Sequence, residues 1–308
     1  MRLLITGGAG FIGSNLARTA LAAGHEVTVL DDLSTGSKTN LTGLDVSFVE
    51  GSLLDERALD ASLDGVDSVV HLGALPSVPR SIKAPLTSHA VNATGTLQLL
   101  ERMRVHSVDH VVAASSSSVY GSNPALPKGE REWVRPMSPY AVSKLATEQY
   151  TLAYQQSFGF ASLAFRFFNV YGPGQAAGHA YAAVIPAFLD AILHGRPVPL
   201  QGDGSQSRDF TYVGTVCRVL LDAAERRVSH PEPVNLAFGT NTTLLQLLDL
   251  LRAELDTDFE IESLPARAGD VKHSQARNDE LRSLFPDIEP VSLEQGIQET
   301  TAWFRSTT

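Results

Sequence analysis

Apolar residues in the first half of the chain fall into short unbroken runs, each followed by a longer stretch in which they recur every three or four positions. The runs, Arg2 to Thr6, Glu26 to Leu30, Val46 to Glu50, Asp67 to Leu72, His110 to Ala114 and Ala161 to Phe167, predict strands buried on both faces of a parallel sheet. The periodic stretches predict helices near Ser14 to Ala23, Asp55 to Leu63, Leu86 to Val105 and from Ser138 onward. Strands alternating with helices of this length imply right-handed βαβ units and a doubly wound parallel sheet. After Phe167 the rhythm breaks. Helices near Val184 to His194, Thr215 to Arg226 and Leu244 to Leu255 are separated only by short strands, so residues 168–308 read as a smaller mixed α/β lobe over the ligand edge of the sheet.

The first strand leads directly into Gly7-Gly8-Ala9-Gly10-Phe11-Ile12-Gly13 and a helix. Strand, Gly-x-x-Gly-x-x-Gly and helix in that order is the context in which such glycines mean a dinucleotide loop. Gly7 permits the tight turn, Gly10 lets backbone approach a pyrophosphate, Gly13 lets the helix pack on the strand, and the helix N-terminus attracts phosphate. The second strand ends in Asp31, within about 20 residues of the loop, where an acid meets the adenosine ribose hydroxyls. Asp31 followed by Asp32 repels a 2′-phosphate, which favours NAD over NADP. The expected fold class is therefore an α/β Rossmann sheet: residues 1–167 bind NAD, and residues 168–308, interleaved or not with the first part, bind substrate.

Ligands of such sheets lie beyond the carboxyl ends of the strands. His71-Leu72-Gly73-Ala74 and Ser115-Ser116-Ser117 occupy two such ends. His71 reads as a satisfied strand-end histidine and is assigned no chemistry. Further on, Ser138 suits a helix N-cap and Pro139 the first helical position. On that helix Tyr140 and Lys144 are four apart and share a face. An ammonium beside a phenol favours the phenolate, making a base of a group that ordinarily titrates near ~10. In the second lobe, Arg208 after the turn Gly202-Asp203-Gly204, and Arg267 before Ala268-Gly269-Asp270, could clamp a diphosphate bidentately.

Composition narrows the class of partner. With 43% hydrophobic and 19% charged residues among 308, the chain reads as an ordinary globular protein. A formal charge of −10 and the lack of a basic face argue against nucleic acid. The one cysteine, Cys217, reads as a buried structural thiol and excludes a disulfide framework within the chain. No signal peptide or membrane-length apolar run is found, so a cytoplasmic protein is expected. No metal site is assigned.

With these motifs in place, the chain resembles the extended short-chain dehydrogenase/reductase superfamily, and within it the nucleotide-sugar 4-epimerases of the UDP-galactose 4-epimerase type. Asp31-Asp32-Leu33-Ser34-Thr35-Gly36, His71-Leu72-Gly73-Ala74 with Ser77-Val78-Pro79-Arg80-Ser81, Phe168-Asn169-Val170-Tyr171-Gly172-Pro173, Arg208-Asp209-Phe210 and Arg267-Ala268-Gly269-Asp270 carry the resemblance over essentially the whole length. It implies tightly held NAD, a UDP-sugar substrate, a transient 4-keto sugar, and a homodimer through the helices near Leu86 to Val105 and Tyr140 to Ser157. It also implies roles for residues. Tyr140 is the catalytic base, Lys144 tunes it and holds the nicotinamide ribose, and Ser116, with Ser117 beside it, meets the sugar 4-oxygen. Gly7, Gly10, Phe11, Ile12, Gly13, Asp31, Leu53, Leu72, Ala74 and Asn92, with Tyr140 and Lys144, fall to the cofactor. Asn169, Arg208, Arg267, Asp270 and Ser274 fall to the substrate; Ser274, small where some relatives have tyrosine, is expected to admit an N-acetyl group at C2.

Three positions depart from the family pattern. Ser52 replaces an aspartate near adenine, Gln201 stands where an aromatic often stacks on the base, and Gly214-Thr215 replaces a frequent aspartate pair. The related 4,6-dehydratases carry an Asp-Glu pair after the Ser/Thr hydroxyl, to act as acid and base across C5 and C6. Here those positions are Ser117 and Ser118, and epimerisation is preferred over dehydration or a 4-reductase reaction. A non-catalytic NAD-sensing module is the reading from another class; such proteins usually lose the tyrosine or lysine, and both are present.

Overall fold

The computed structural model describes residues 1–177, 182–265 and 272–307. The chain forms two compact units. One comprises Met1–Asn123, Trp133–Phe167 and Cys217–Asn235; the other comprises Pro124–Glu132, Phe168–Val216 and Leu236–Thr308.

The first unit is built on β1 (Arg2–Thr6), α1 (Phe11–Ala22), β2 (Glu26–Asp31), β3 (Ser47–Glu50), α2 (Glu56–Leu63) and β4 (Ser68–His71). It continues through α3 (Val78–Lys83), α4 (Pro85–His89), α5 (Gly95–Val105), β5 (His110–Ser116), α6 (Pro139–Phe158) and β6 (Ala161–Phe167). Its seven-stranded sheet runs in the order Val234–Leu236, β6, β5, β4, β1, β2, β3. Every pairing among β1 to β6 is parallel. The chain winds outward from β1 through β2 and β3, then returns to β4 on the other side of β1. That reversal makes the crevice between the ends of β1 and β4 the place where such sheets take ligands.

The apolar runs are strands because both faces are covered: Leu3, Leu4 and Ile5 of β1 are all fully buried. One core cluster joins Leu4, Val69 and Val111 of the sheet to Leu59 and Leu63 of α2, Leu99, Leu100 and Met103 of α5, and Tyr154 of α6. Helix α1, which packs on β1 and β2, buries Leu16, Ala17 and Ala20 outside that cluster.

Two differences from the periodicity stand out. The stretch read as one helix from Leu86 to Val105 is α4 and α5 joined by a π-helical turn, Ala90–Thr94. There the Asn92 carbonyl accepts the hydroxyls of Thr96 and Thr147 at 2.6 and 3.0 Å. Helix α3 was not predicted; the Ser77 hydroxyl caps it by accepting from Arg80 N at 3.3 Å.

In the second unit, short strands pair two by two: Phe210–Tyr212 with Asn169–Tyr171, Thr242–Thr243 with Ser207–Arg208, and Ile261–Leu264 with Val198–Gln201. The helix Leu244–Leu255 starts in a reciprocal capping box between Thr243 and Gln246. No helix among the described residues is long and apolar enough to cross a membrane.

Candidate active site

The glycine turn closes the end of β1. Gly7 has φ +69°, and a Cβ there would stand 2.8 Å from the Gly73 backbone beyond β4. A Cβ on Gly13 would lie 2.3 Å from the Gly7 carbonyl oxygen, so α1 rests directly on the turn. Gly10, by contrast, has an ordinary φ of −79° and serves as N-cap of α1. No side chain caps that helix end and no acid lies in its first turn, so its leading N–H groups, around Phe11, Ile12 and Gly13, present an open positive end.

Asp31, 8% exposed, holds the turn from the side. Its carboxylate oxygens accept Ala9 N at 2.9 Å and Leu33 N at 2.8 Å, and each keeps a further lone pair. Burial pushes its pKa up, against the pull of those two N–H donors. Asn40 and Ser37 complete the bracket by donating to the Ala9 carbonyl at 2.8 and 3.0 Å. Neither was singled out by the sequence; nothing in the local pattern around Ser37 and Asn40 announces a contact with residue 9.

Beyond β5 lies the serine run. Ser116 Oγ accepts from Ser118 N at 3.2 Å and from Ser118 Oγ at 2.9 Å, which leaves its own proton to act on the Tyr140 phenol, whose pKa it lowers. Ser117 opens the 3₁₀ turn Ser117–Tyr120 that follows. Tyr140 sits at the start of α6 because Ser138 Oγ accepts Ala141 N at 3.1 Å and Pro139 fills the first helical position. Lys144, one turn on, is 4% exposed.

The electrostatics differ from the expectation drawn from spacing. The Tyr140 pKa is raised, not lowered: burial dominates, and only the Ser116 hydrogen bond opposes it. Lys144 exerts no resolved pull on the phenol. Its own pKa is pushed down to about 8 by burial alone, so its ammonium is buried with no compensating partner among the described residues. His71 is satisfied at both ring nitrogens, by Thr6 Oγ1 at 2.8 Å and Thr96 Oγ1 at 2.9 Å. Burial and the Lys144 charge push it down to about 3, so it stays neutral.

The remaining cofactor candidates lie around the β4 end. Leu53 is buried and lies where a Cβ on Gly73 would be 3.1 Å from it, while Leu72 and Ala74 are half-buried beyond β4. Asn92 is held by its own neighbours. Its amide nitrogen donates to Leu75 O at 3.2 Å and Ser143 Oγ at 2.9 Å, and its oxygen accepts Leu75 N at 2.7 Å. Both amide hydrogens are thus committed to tying the β4 loop to α6, which leaves only carbonyl capacity for a ligand.

In the second unit, Asn169 opens the strand that pairs with Phe210–Tyr212, two residues after Arg208, and Asn169 N donates to Asp209 O at 3.2 Å. Arg208 Nη1 donates to Ser207 O at 2.9 Å and Lys272 O at 3.3 Å, which orients the guanidinium. Asp209, missed by the sequence reading, is fully buried and accepts from Gly239 N, Thr240 N, Thr240 Oγ1 and Ala276 N at 2.9–3.2 Å. Ser274 is half-buried, its N–H donating to Ser207 O at 3.1 Å. Arg267 and Asp270 lie outside the described residues.

A turn that tolerates no side chain at Gly7 or Gly13, an uncapped helix end, a carboxylate with spare lone pairs and a partnerless buried ammonium suit a pyridine dinucleotide. The first unit is thus of the dinucleotide-binding α/β class, with a tyrosine and a lysine on the first turns of α6. A family model described as the NAD dependent epimerase/dehydratase family matches residues 3–237, and the chain belongs to that family. It is 36% identical over 317 residues to a UDP-glucose 4-epimerase of Mycolicibacterium smegmatis, with 99% of each covered. Among solved structures it is similar to a UDP-N-acetylglucosamine 4-epimerase from Methanobrevibacter ruminantium in complex with UDP-N-acetylmuramic acid, at TM-score 0.94, 36% identity and 100% and 99% coverage. It is also similar to the UDP-glucose 4-epimerase of Thermotoga maritima with UDP-glucose, at TM-score 0.93, 35% identity and the same coverage.

Proposed function

We propose that the protein interconverts the C4 epimers of a UDP-sugar through a transient 4-keto sugar, with no net oxidation. The observation that carries this reading is Tyr140 and Lys144 one turn apart on α6, the lysine buried, with the Ser116 hydroxyl acting to lower the phenol's pKa. Tyr140 takes the proton of the sugar 4-hydroxyl and returns it to the 4-oxygen once the keto sugar has turned its opposite face to the cofactor. Ser116, its oxygen oriented by Ser118, donates to whichever of the phenol and the sugar 4-oxygen carries negative charge. Lys144, cationic at neutral pH with a pKa of about 8, holds the nicotinamide ribose. NAD, held by the glycine turn, Asp31 and Lys144, supplies reversible hydride acceptance at C4 and a cationic ring that offsets the burial-raised pKa of Tyr140.

The family name spans epimerases and dehydratases. Ser117 and Ser118 carry no carboxyl group to eliminate water across C5 and C6, which supports epimerisation. In this reading Asn169 holds a substrate phosphate or sugar hydroxyl, Arg208 and Arg267 the diphosphate, and Asp270 the nucleoside ribose. Ser274 leaves room at C2, so both UDP-glucose/UDP-galactose and UDP-GlcNAc/UDP-GalNAc fit, and Asn169 in place of threonine disfavours the glucuronate pair. Incubation with UDP-glucose and no added coenzyme tests the reading. UDP-galactose is the expected product, and an accumulated 4-keto-6-deoxy sugar would assign the chain to the dehydratases.

A second copy of the chain is the partner we infer, in the cytoplasm. Leu86 (85% exposed), Ile82 (64%) and Val142 (52%) stand open on α4, α3 and α6, and α3 and α4 pack against α6. Such a patch supports self-association.

A further inference from the structure

Glu148 and Arg166 form a bidentate ion pair deep in the first unit. Arg166 Nε and Nη2 donate to Glu148 Oε2 and Oε1 at 2.9 and 2.7 Å, with Glu148 0% and Arg166 3% exposed. Desolvating two charges costs several kcal/mol per ion, and well-packed apolar residues in the same volume are often as stabilising or more so. Stability alone is therefore a poor reason for the pair.

Its connections supply a better one. Glu148 is one turn after Lys144 and two after Tyr140 on α6, so all three lie along one face. Ser115, the residue before Ser116, donates to Glu148 Oε2 at 2.9 Å and lies 3.3 Å from the Lys144 carbonyl oxygen. Arg166 is directly opposite Ser115 in the β5–β6 register. Its guanidinium also stacks on the Tyr120 ring at 4.7 Å, at the close of the turn that begins at Ser117, and Tyr120 OH donates to Asn235 at 2.7 Å. One pair of charges thus fastens the end of β5, the turn after it and the turn of α6 that carries the lysine. The guanidinium fork fixes distance and angle together, which apolar contacts between strand and helix do not.

We propose that Glu148 and Arg166 are positioning residues for the reaction: through Ser115 they set the end of β5, and so Ser116, against Tyr140 and Lys144. The proposal rests on the roles given above to Ser116, Tyr140 and Lys144. Groups of this kind work only when held within about 0.5 Å of the productive geometry, and a misplacement of about 1 Å can cost about 10²-fold in rate.

The test replaces the pair as a unit, Glu148→Met with Arg166→Met, and compares it with Ser115→Ala and Tyr140→Phe in the epimerase assay. Single removals would leave one buried charge unpaired and destabilise the fold; the double replacement removes both. The expected result is a kcat about tenfold lower or less, KM within about twofold of wild type, and an unchanged or raised melting temperature. In Ser115→Ala, which keeps the ion pair, kcat should fall about threefold or more at unchanged KM and melting temperature. A folded double variant with wild-type kcat would overturn the proposal, as would a kcat loss that merely follows the unfolded fraction. Should the double variant not fold, Ser115→Ala decides alone: full kcat there overturns the proposal, and reduced kcat at unchanged stability supports it. An inactive Tyr140→Phe beside a fully active double variant would remove this proposal only, whereas an active Tyr140→Phe would remove the reading beneath it.

Discussion

Lys144→Met should make the cofactor-free protein more stable while removing its activity. The Lys144 ammonium is 4% exposed, and burial alone lowers its pKa from 10.5 to about 8. At about 1.36 kcal/mol per pKa unit, that drop corresponds to about 3 kcal/mol of burial penalty on the folded state. The sign follows from proton counting. Below pH 8 the lysine is charged in both the folded and unfolded chain, and the folded chain bears the full penalty. Between pH 8 and 10.5 the unfolded chain holds one proton more, so wild-type stability rises with pH; above 10.5 both forms are neutral and the penalty is gone. Methionine fills a similar volume without charge. Chemical denaturation of both proteins after removal of bound nucleotide, at pH 7 and near pH 10.5, should show the variant ahead by about 3 kcal/mol at pH 7, the gap closing at high pH. Loss of turnover in the same variant would mark the lysine as a site where stability is given up for function. A variant equal to or weaker than wild type at pH 7, or a gap that ignores pH, would refute the reasoning.

Tyr140→Phe should lower kcat by about 10²–10⁴-fold, the range of a lost general base, while nucleotide analysis of the denatured protein still finds NAD. Ser274→Tyr should depress kcat/KM for UDP-GlcNAc more than for UDP-glucose, because a filled C2 pocket penalises the larger substituent; equal loss on both would show that Ser274 is not the gate. Leu86→Glu, placing a charge at a residue 85% exposed on α4, should yield monomers by sedimentation with the fold intact, and an unchanged mass would move the partner surface elsewhere.

What the sequence revealed and what it hid divide along physical lines. Strands buried on both faces are written as apolar runs, so β1 and β6 lie where the runs at Arg2 and Ala161 put them. Local chemistry was equally legible: the Ser138–Pro139 start of α6 depends only on adjacent residues. Long-range causes left no trace. The Asn92 carbonyl within the π-helical turn takes a hydroxyl from Thr147, 55 residues away, and Val234–Leu236 joins the main sheet as a three-residue strand with no periodic signal. Spacing put Lys144 beside Tyr140 but not the depth of either, and depth reversed the direction of the phenol's shift. Buried charges are the hardest to see. Glu148, Arg166 and Asp209 look like surface residues in a linear pattern, and only their partners show otherwise.

UDP-glucose carrying deuterium at C4, incubated in ordinary water with no coenzyme added, reports whether C4 is oxidised and reduced again within one turnover. The expected product is UDP-galactose with the deuterium still at C4. Loss of the label to solvent, or its appearance at C6 of a dehydrated 4-keto sugar, would contradict it.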